Sequence, residues 1–200
     1  MSATTLIPHG SVAPEEQWSL PSRGKIAMYS LIIGESAIFT IFVVAYVFYI
    51  GKSLYGPTPK ILEVPVLNTI CLLSSSFTIW LSERALERNK IKLFGALWAL
   101  TLALGAIFIV GTGFEWNDLI YHKGLTISTN LFGTTFYSLV GLHATHVIFG
   151  LIGLTTVLIF TLMGKVTEEH SERIQVLALY WHFVDAVWVV VFTVVYILGR

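Results

Sequence analysis

The chain has 200 residues, 55% hydrophobic and 12% charged, with 12 basic and 12 acidic side chains and no formal net charge. Soluble domains carry about 25% charged residues, so half that share points to lipid, and the lack of any long basic run argues against nucleic-acid binding. The single cysteine, Cys71, excludes an internal disulfide and Cys-rich zinc or iron–sulfur sites; in the apolar stretch NTICLLSSSF it reads as a packed, inert thiol.

Residues 1–24 begin MSATTLIPHGSVAPEEQWSLPS, polar and punctuated by proline, with no apolar signal core, and are expected to form a mobile tail. Five stretches then reach the roughly 20 mainly apolar residues that a spanning helix needs. They run from about Lys25 to Ile50, Val64 to Ala85, Leu93 to Trp116, Leu131 to Met163 and Ile174 to Leu198. The fourth is longer than a bilayer requires and has to tilt or project. The links between them are short and carry breakers, as in GKSLYGPTPK and GKVTEEHSER, so residues 25–200 read as one all-α membrane domain.

Placing the N-terminus inside puts Arg23, Lys25, Arg84, Arg88, Lys90, Lys92, Lys165 and Arg173 on the inner side. Lys52, Lys60, Lys123 and Arg200 are then outside. That eight-to-four bias predicts an N-in, C-out bundle of five transmembrane helices. Small residues on the second, third and fourth spans (Ser74 to Ser76; Gly105, Gly111 and Gly113; Gly141, Gly150 and Gly153) mark places of close helix approach. Tyr46, Phe48, Tyr49, Trp116, Tyr121 and Tyr196 lie near span ends, as interfacial aromatics do.

Five ionisable residues fall well inside spans: Glu35, His143, His146, His182 and Asp185. Such groups are rare in lipid and face protein or water. At 1.5 Å per residue, Glu35, Asp185 and His143 lie roughly 15 to 18 Å from the nearer span end, close to the middle of a core about 30 Å thick. They are expected to meet if the first, fourth and fifth helices pack together. His143 and His146 share a helix face, as do His182 and Asp185. Trp181, Asp185 and Trp188 form one stripe, from which an indole or imidazole N–H can reach the aspartate. Glu115, in GTGFEWNDL at the outer end of the third span, reads as an interfacial cap or subunit contact.

The residues alone leave three readings of this set open. The first is a metal site, although the spacings match no dense ligand motif. The second is a proton relay, since desolvation favours the neutral acid form of a carboxyl such as Glu35. The third is polar glue between helices, which suits the His and Asp pairs best. A small proton-coupled transporter using Glu35 and Asp185 is a further alternative, opposed by heavy aromatic packing and the lack of a clear repeat.

Several motifs, in order along the chain, resemble subunit III of haem-copper terminal oxidases. GTTFYSLVGLHATHVIFGLIGL resembles that family's long helix and YWHFVDAVWVVVFTVVYILG its closing helix. LNTICLLSSSFTIWLSERAL, GTGFEWNDL and LIIGESAIF are similar to its serine-rich helix, its Glu-aromatic turn and the helix bearing its mid-membrane acid. The resemblance runs from about Lys25 to Arg200 and matches the five-helix form of bacterial quinol and cytochrome c oxidases; related proteins also accompany nitric oxide reductases.

The resemblance implies an accessory subunit without redox centres, in a bacterial inner membrane. Haem and copper would reside in partner subunits I and II, and phospholipid would lie in clefts. The chain would pack on subunit I, stabilise it and support proton uptake. Glu35 would match the family's carbodiimide-reactive carboxyl, and His143, His146, His182 and Asp185, with Trp181 and Trp188 beside them, would be structural rather than metal ligands.

Overall fold

The computed structural model of the chain describes residues 21–53 and 55–199, so most of the expected tail, residues 1–20, lies outside it. Five α-helices follow in order: α1 (Arg23–Tyr49), α2 (Val66–Glu87), α3 (Ile91–Tyr121), α4 (Leu131–Leu162) and α5 (Ser171–Phe192). Short 3₁₀ turns precede α2 and α5, and α5 runs on into a π-helical segment, Thr193–Leu198.

Local chemistry starts and stops these helices. The Asn130 Oδ1 accepts from Gly133 N at 2.8 Å and opens α4. α2 ends where Lys90 N–H reaches Ala85 O and Asn89 N–H reaches Leu86 O, with Asn89 in the left-handed region at φ 54°. α4 ends in the same way at Gly164, φ 69°. α3 continues past the expected end at Trp116 to Tyr121, because no glycine or proline interrupts it before Gly124. Glu115 therefore sits inside a helix rather than at its tip.

α1, α3, α4 and α5 with its flanking turns are long and apolar enough to cross a membrane. α2 has 22 residues, about 33 Å of helix, but Asn68, Ser74 to Ser76, Glu83 and Arg84 dilute its hydropathy. Large apolar side chains face outward, among them Ile33 at 72%, Phe114 at 73% and Leu162 at 80% exposed. Such a surface is stable against lipid and unstable against water.

α2 and α3 form a tight hairpin; α4 packs on α3, α5 on α4 and α2, and α1 on α4 and α5. The core is aromatic, with Trp98, Trp181, Trp188, Tyr46, Tyr196, Phe94 and Phe108 among its fully buried side chains. Trp181 of α5 lies in a slot made by two glycines. A Cβ on Gly105 of α3 would fall 2.8 Å from its ring, and one on Gly150 of α4 would fall 2.7 Å away. Its indole N–H donates to Ser75 Oγ of α2 at 2.8 Å. One side chain thus joins four helices.

The links gather at opposite ends. At one end Asn130 Nδ2 donates to Tyr55 O and Pro57 O, and Lys123 Nζ donates to Ile61 O at 3.2 Å and pairs with Glu63 at 2.8 Å and Asp118 at 3.0 Å. At the other end Gln175 of α5 donates to Glu87 at the close of α2, at 3.1 Å.

Two outcomes are expected. Gly150→Val drives side-chain atoms into the Trp181 ring and costs on the order of 1–3 kcal/mol in a detergent unfolding assay. Gly113→Ala, with open space around its Cβ, leaves stability unchanged or slightly raised. The second outcome concerns pH. Hydrogen bonds to Glu63 and Asp118 hold the Lys123 ammonium above its ordinary value of 10.5. A raised value in a cation means that its stabilisation is complete below the ordinary value and is lost as pH rises through the folded one. Amide protection in the 55–64 link, taken relative to the intrinsic base-catalysed exchange rate, is therefore expected to hold through neutral pH and to fall in strong base, and Lys123→Met lowers it already at neutral pH and removes that alkaline step.

Candidate functional site

The intramembrane polar residues separate into three units. In the first, Glu35 of α1 meets His146 of α4, with Oε2 and Nε2 3.1 Å apart. The other ring nitrogen, Nδ1, lies 2.8 Å from Leu142 O. A carbonyl can only accept, so Nδ1 carries a proton. The Nε2–Oε2 contact then needs one further proton, placed on either atom. Both placements leave the pair with no net charge, as a neutral acid beside neutral imidazole or as an internal ion pair. The side chains are 24% and 12% exposed at the seam of α1 and α4. Phe39 packs 5.0 Å from the imidazole, and Tyr180 OH donates to His146 O at 3.0 Å, so the pair is held from α5 as well.

In the second unit, buried Asp185 of α5 accepts from Ser76 Oγ of α2 through Oδ2. Ser76 has one hydroxyl proton, and its oxygen also lies 3.2 Å from His182 Nδ1. With that proton directed at Asp185, Nδ1 of His182 has to be the donor to Ser76. His182 Nε2 then faces Glu83 Oε2 of α2 at 4.0 Å. Asp185 is thus partnered by a serine hydroxyl. The indole N–H groups go elsewhere, Trp181 to Ser75 and Trp188 to Thr69 at 3.2 Å, because the α2 face of α5 meets a column of hydroxyls.

In the third unit, His143 is fully buried as an aromatic plate. It stacks on Trp188 at 5.0 Å and 29° and meets Phe108 edge-on at 5.8 Å. Among the described residues neither of its ring nitrogens has a hydrogen-bond partner. Nearer the link-rich end, Glu115 accepts from Tyr196 OH at 2.8 Å. It borders a cleft of about 250 Å³ with Glu63, Asn68, Asp118 and Lys123.

α1, α4 and α5 pack together, as a meeting of Glu35, His143 and Asp185 would require, yet the three groups part. Glu35 turns to His146, His143 to rings, and Asp185 to α2. The three span histidines point to different neighbours, and no group of three His, Cys, Asp or Glu residues able to hold a metal ion gathers among the described residues. Sequence reading passed over Glu83, Tyr180 and Tyr196 as polar partners and took Ser76 for a packing residue. Glu83 had a signal available: it lies seven residues from Ser76, two turns along the same helix face.

Asp185→Ala removes the acceptor for Ser76 and leaves that hydroxyl with His182 as its only interhelical partner. It is expected to weaken helix association by about 1–2 kcal/mol, the scale of interhelical hydrogen bonds in membranes. Asp185→Asn, which keeps a carbonyl acceptor, is expected to restore most of that in the same unfolding assay. Equal losses in the two variants would contradict the assignment.

The chain is similar to known proteins over most of its length. A protein named Cytochrome c oxidase subunit 3 from Alkalihalophilus pseudofirmus is 33% identical over 188 residues, covering 92% of this chain and 91% of the relative. Quinol oxidase subunit 3 of Bacillus subtilis is 33% identical over 198 residues, 96% of each chain. Cytochrome c oxidase subunit 3 of a Synechocystis species is 36% identical over 183 residues, 89% of this chain and 77% of the relative. The family described as Cytochrome c oxidase subunit III matches residues 25–200, which hold every polar unit described above and all but the first two residues of the five-helix bundle, and the chain belongs to that family.

Proposed function

We propose that this chain is the accessory subunit III of a respiratory haem-copper oxidase. It stabilises subunit I and supports proton uptake while subunits I and II, which hold the haem and copper, reduce oxygen to water. The observation that carries this reading is how the intramembrane polar groups are used. Glu35 and His146 tie α1 to α4, and Asp185, His182 and Ser76 tie α5 to α2. That is the chemistry of a scaffold with one proton-holding pair at a partly open seam.

The subunit crosses a bacterial inner membrane five times, α2 included, with its N-terminus inside. Support comes from the cationic excess at the end bearing Arg23, Arg88 and Lys165. Phospholipid completes it. An apolar cleft of about 370 Å³ along Val157, Phe160 and Ile174 is rimmed by Lys165, His170 and Arg173 at that same end, a setting that suits an anionic head group. Relatives named for cytochrome c and for quinol are each 33% identical to this chain, which supports a choice of electron donor made by partner subunits.

Purification through a tag on this chain tests the reading. Haem and copper are expected to arrive with a large multi-span partner and to leave when that partner is stripped away; metal retained by the lone chain would overturn it. Glu35→Gln is expected to keep haem content and complex yield. It also loses labelling by hydrophobic carbodiimide, and it changes the durability of turnover only modestly. Loss of haem in that variant would contradict the accessory role of Glu35.

A further inference from the structure

One face of the bundle is unfinished. α1 packs on α4 and α5, and α2 packs on α3 and α5, while α1 and α2 make no substantial contact with each other among the described residues. A groove therefore opens between them with α5 as its floor. The floor is a stripe of one helix face: His182, Ala186, Val190 and Thr193, spaced by three or four residues. Ala186 is exposed and Val190 is 49% exposed. The α1 wall is smooth, because Ser36 and Thr40 turn their hydroxyls back to the carbonyls of Ile32 and Ser36, each at 2.7 Å. A notch of about 200 Å³ opens between Ser36, Thr40 and Val43 of α1 and Val187 and Val190 of α5.

The polar content of this groove decides what covers it. The His182 side chain is 36% exposed and that of Glu83, facing it, is 18% exposed. His182 is anchored to Ser76, 11 residues from the inner end of α2. At 1.5 Å per residue that is about 16 Å into the membrane. Acyl chains offer an imidazole at that depth neither donor nor acceptor, and outward-facing polar groups in spans are covered by protein. Lys25 of α1 lies within electrostatic reach of Glu83, so the carboxyl is met from within the chain and the partly exposed imidazole of His182 is the group left to a covering partner. Small side chains along a groove are also what close helix packing in membranes requires.

Resting on the proposed oxidase role, we infer that the groove between α1 and α2 seats a transmembrane helix of another oxidase subunit. That helix brings a hydrogen-bonding side chain to His182, whose Nε2 lies 4.0 Å from Glu83, beyond hydrogen-bond distance. It also places one bulky apolar side chain in the notch beside Val190.

The test uses the intact complex, purified through a tag on this chain, with a photo-crosslinking phenylalanine analogue placed at three sites. Val190 samples the floor of the groove. Leu73, 41% exposed and one turn from Ser76, samples the α2 wall, and Phe114 samples the outer face of α3. Val190 and Leu73 are expected to crosslink to the same membrane segment of one other oxidase subunit, identified by peptide mass, while Phe114 yields lipid adducts or none. Lipid adducts alone at Val190 and Leu73, crosslinks to a second copy of this chain, or a partner reached only from Phe114 would each overturn the groove assignment and leave the oxidase reading intact. A chain that purifies without any haem-bearing partner would overturn both.

Ala186→Trp gives an independent check by filling the groove. It is expected to lower haem recovered per tagged chain on the order of tenfold, the scale of one overpacked side chain in an interface, at unchanged membrane yield of the chain itself. Unchanged haem recovery in this variant would also overturn the assignment.

Discussion

The burial of Trp181 between Gly105 and Gly150 is the contact on which the rest of the bundle depends. An indole is the largest side chain available, and it fits only because two facing helices present no Cβ at that level. Its N–H is directed to Ser75, so the same residue supplies dispersion contacts to α3 and α4 and a hydrogen bond to α2. With that position set, the 3.6-residue repeat of α5 fixes the direction of every other side chain on the helix. Asp185 and Trp188 come one and two turns later on the same stripe, opposite Ser76 and Thr69. Tyr180, next to Trp181, is turned toward α4 and reaches the His146 carbonyl.

Within lipid the hydrophobic effect does little to hold helices together, since an apolar side chain is as well solvated by acyl chains as by another helix. Close packing and interhelical hydrogen bonds hold the bundle instead. In this chain they are distributed by seam. The α2–α3 hairpin uses Thr78 against Thr101 at 2.7 Å and Ser82 against the Phe94 carbonyl at 3.1 Å. The α3–α4 seam uses the Trp98 indole against Leu154 O at 2.9 Å. α1 buries only Phe39 and Tyr46, so its junction with α4 leans on Glu35 and His146.

That placement gives the proposed accessory role a physical form. Moving the shared proton along the Nε2–Oε2 axis redistributes charge within the Glu35–His146 pair without presenting a net charge to lipid, since either position of that proton leaves the pair neutral. A rigid core of α2, α3, α4 and α5 supplies the fixed surface against which a larger partner can be held.

Much of this architecture is legible in the residues. Hydropathy and link composition predict five helices within a few residues of their observed ends, and glycine positions announce Gly105 and Gly150 as close approaches. The span reading closes α3 at Trp116, where the polar link from Asn117 begins, but polar residues without glycine or proline do not stop a helix, and α3 runs on to Tyr121. The motifs also suffice to identify the oxidase subunit III family, since five of them recur in order. Helical spacing further predicts that His143 and His146 share a face, and it stops there. Which of them meets a carboxyl depends on the rotation of α4 about its axis, and that rotation is set by Trp181 wedged against Gly150. The partner of Asp185 is settled in the same way, by the register of α2 against α5. Periodicity along one chain determines what each helix can present; only packing between helices determines what it is presented to.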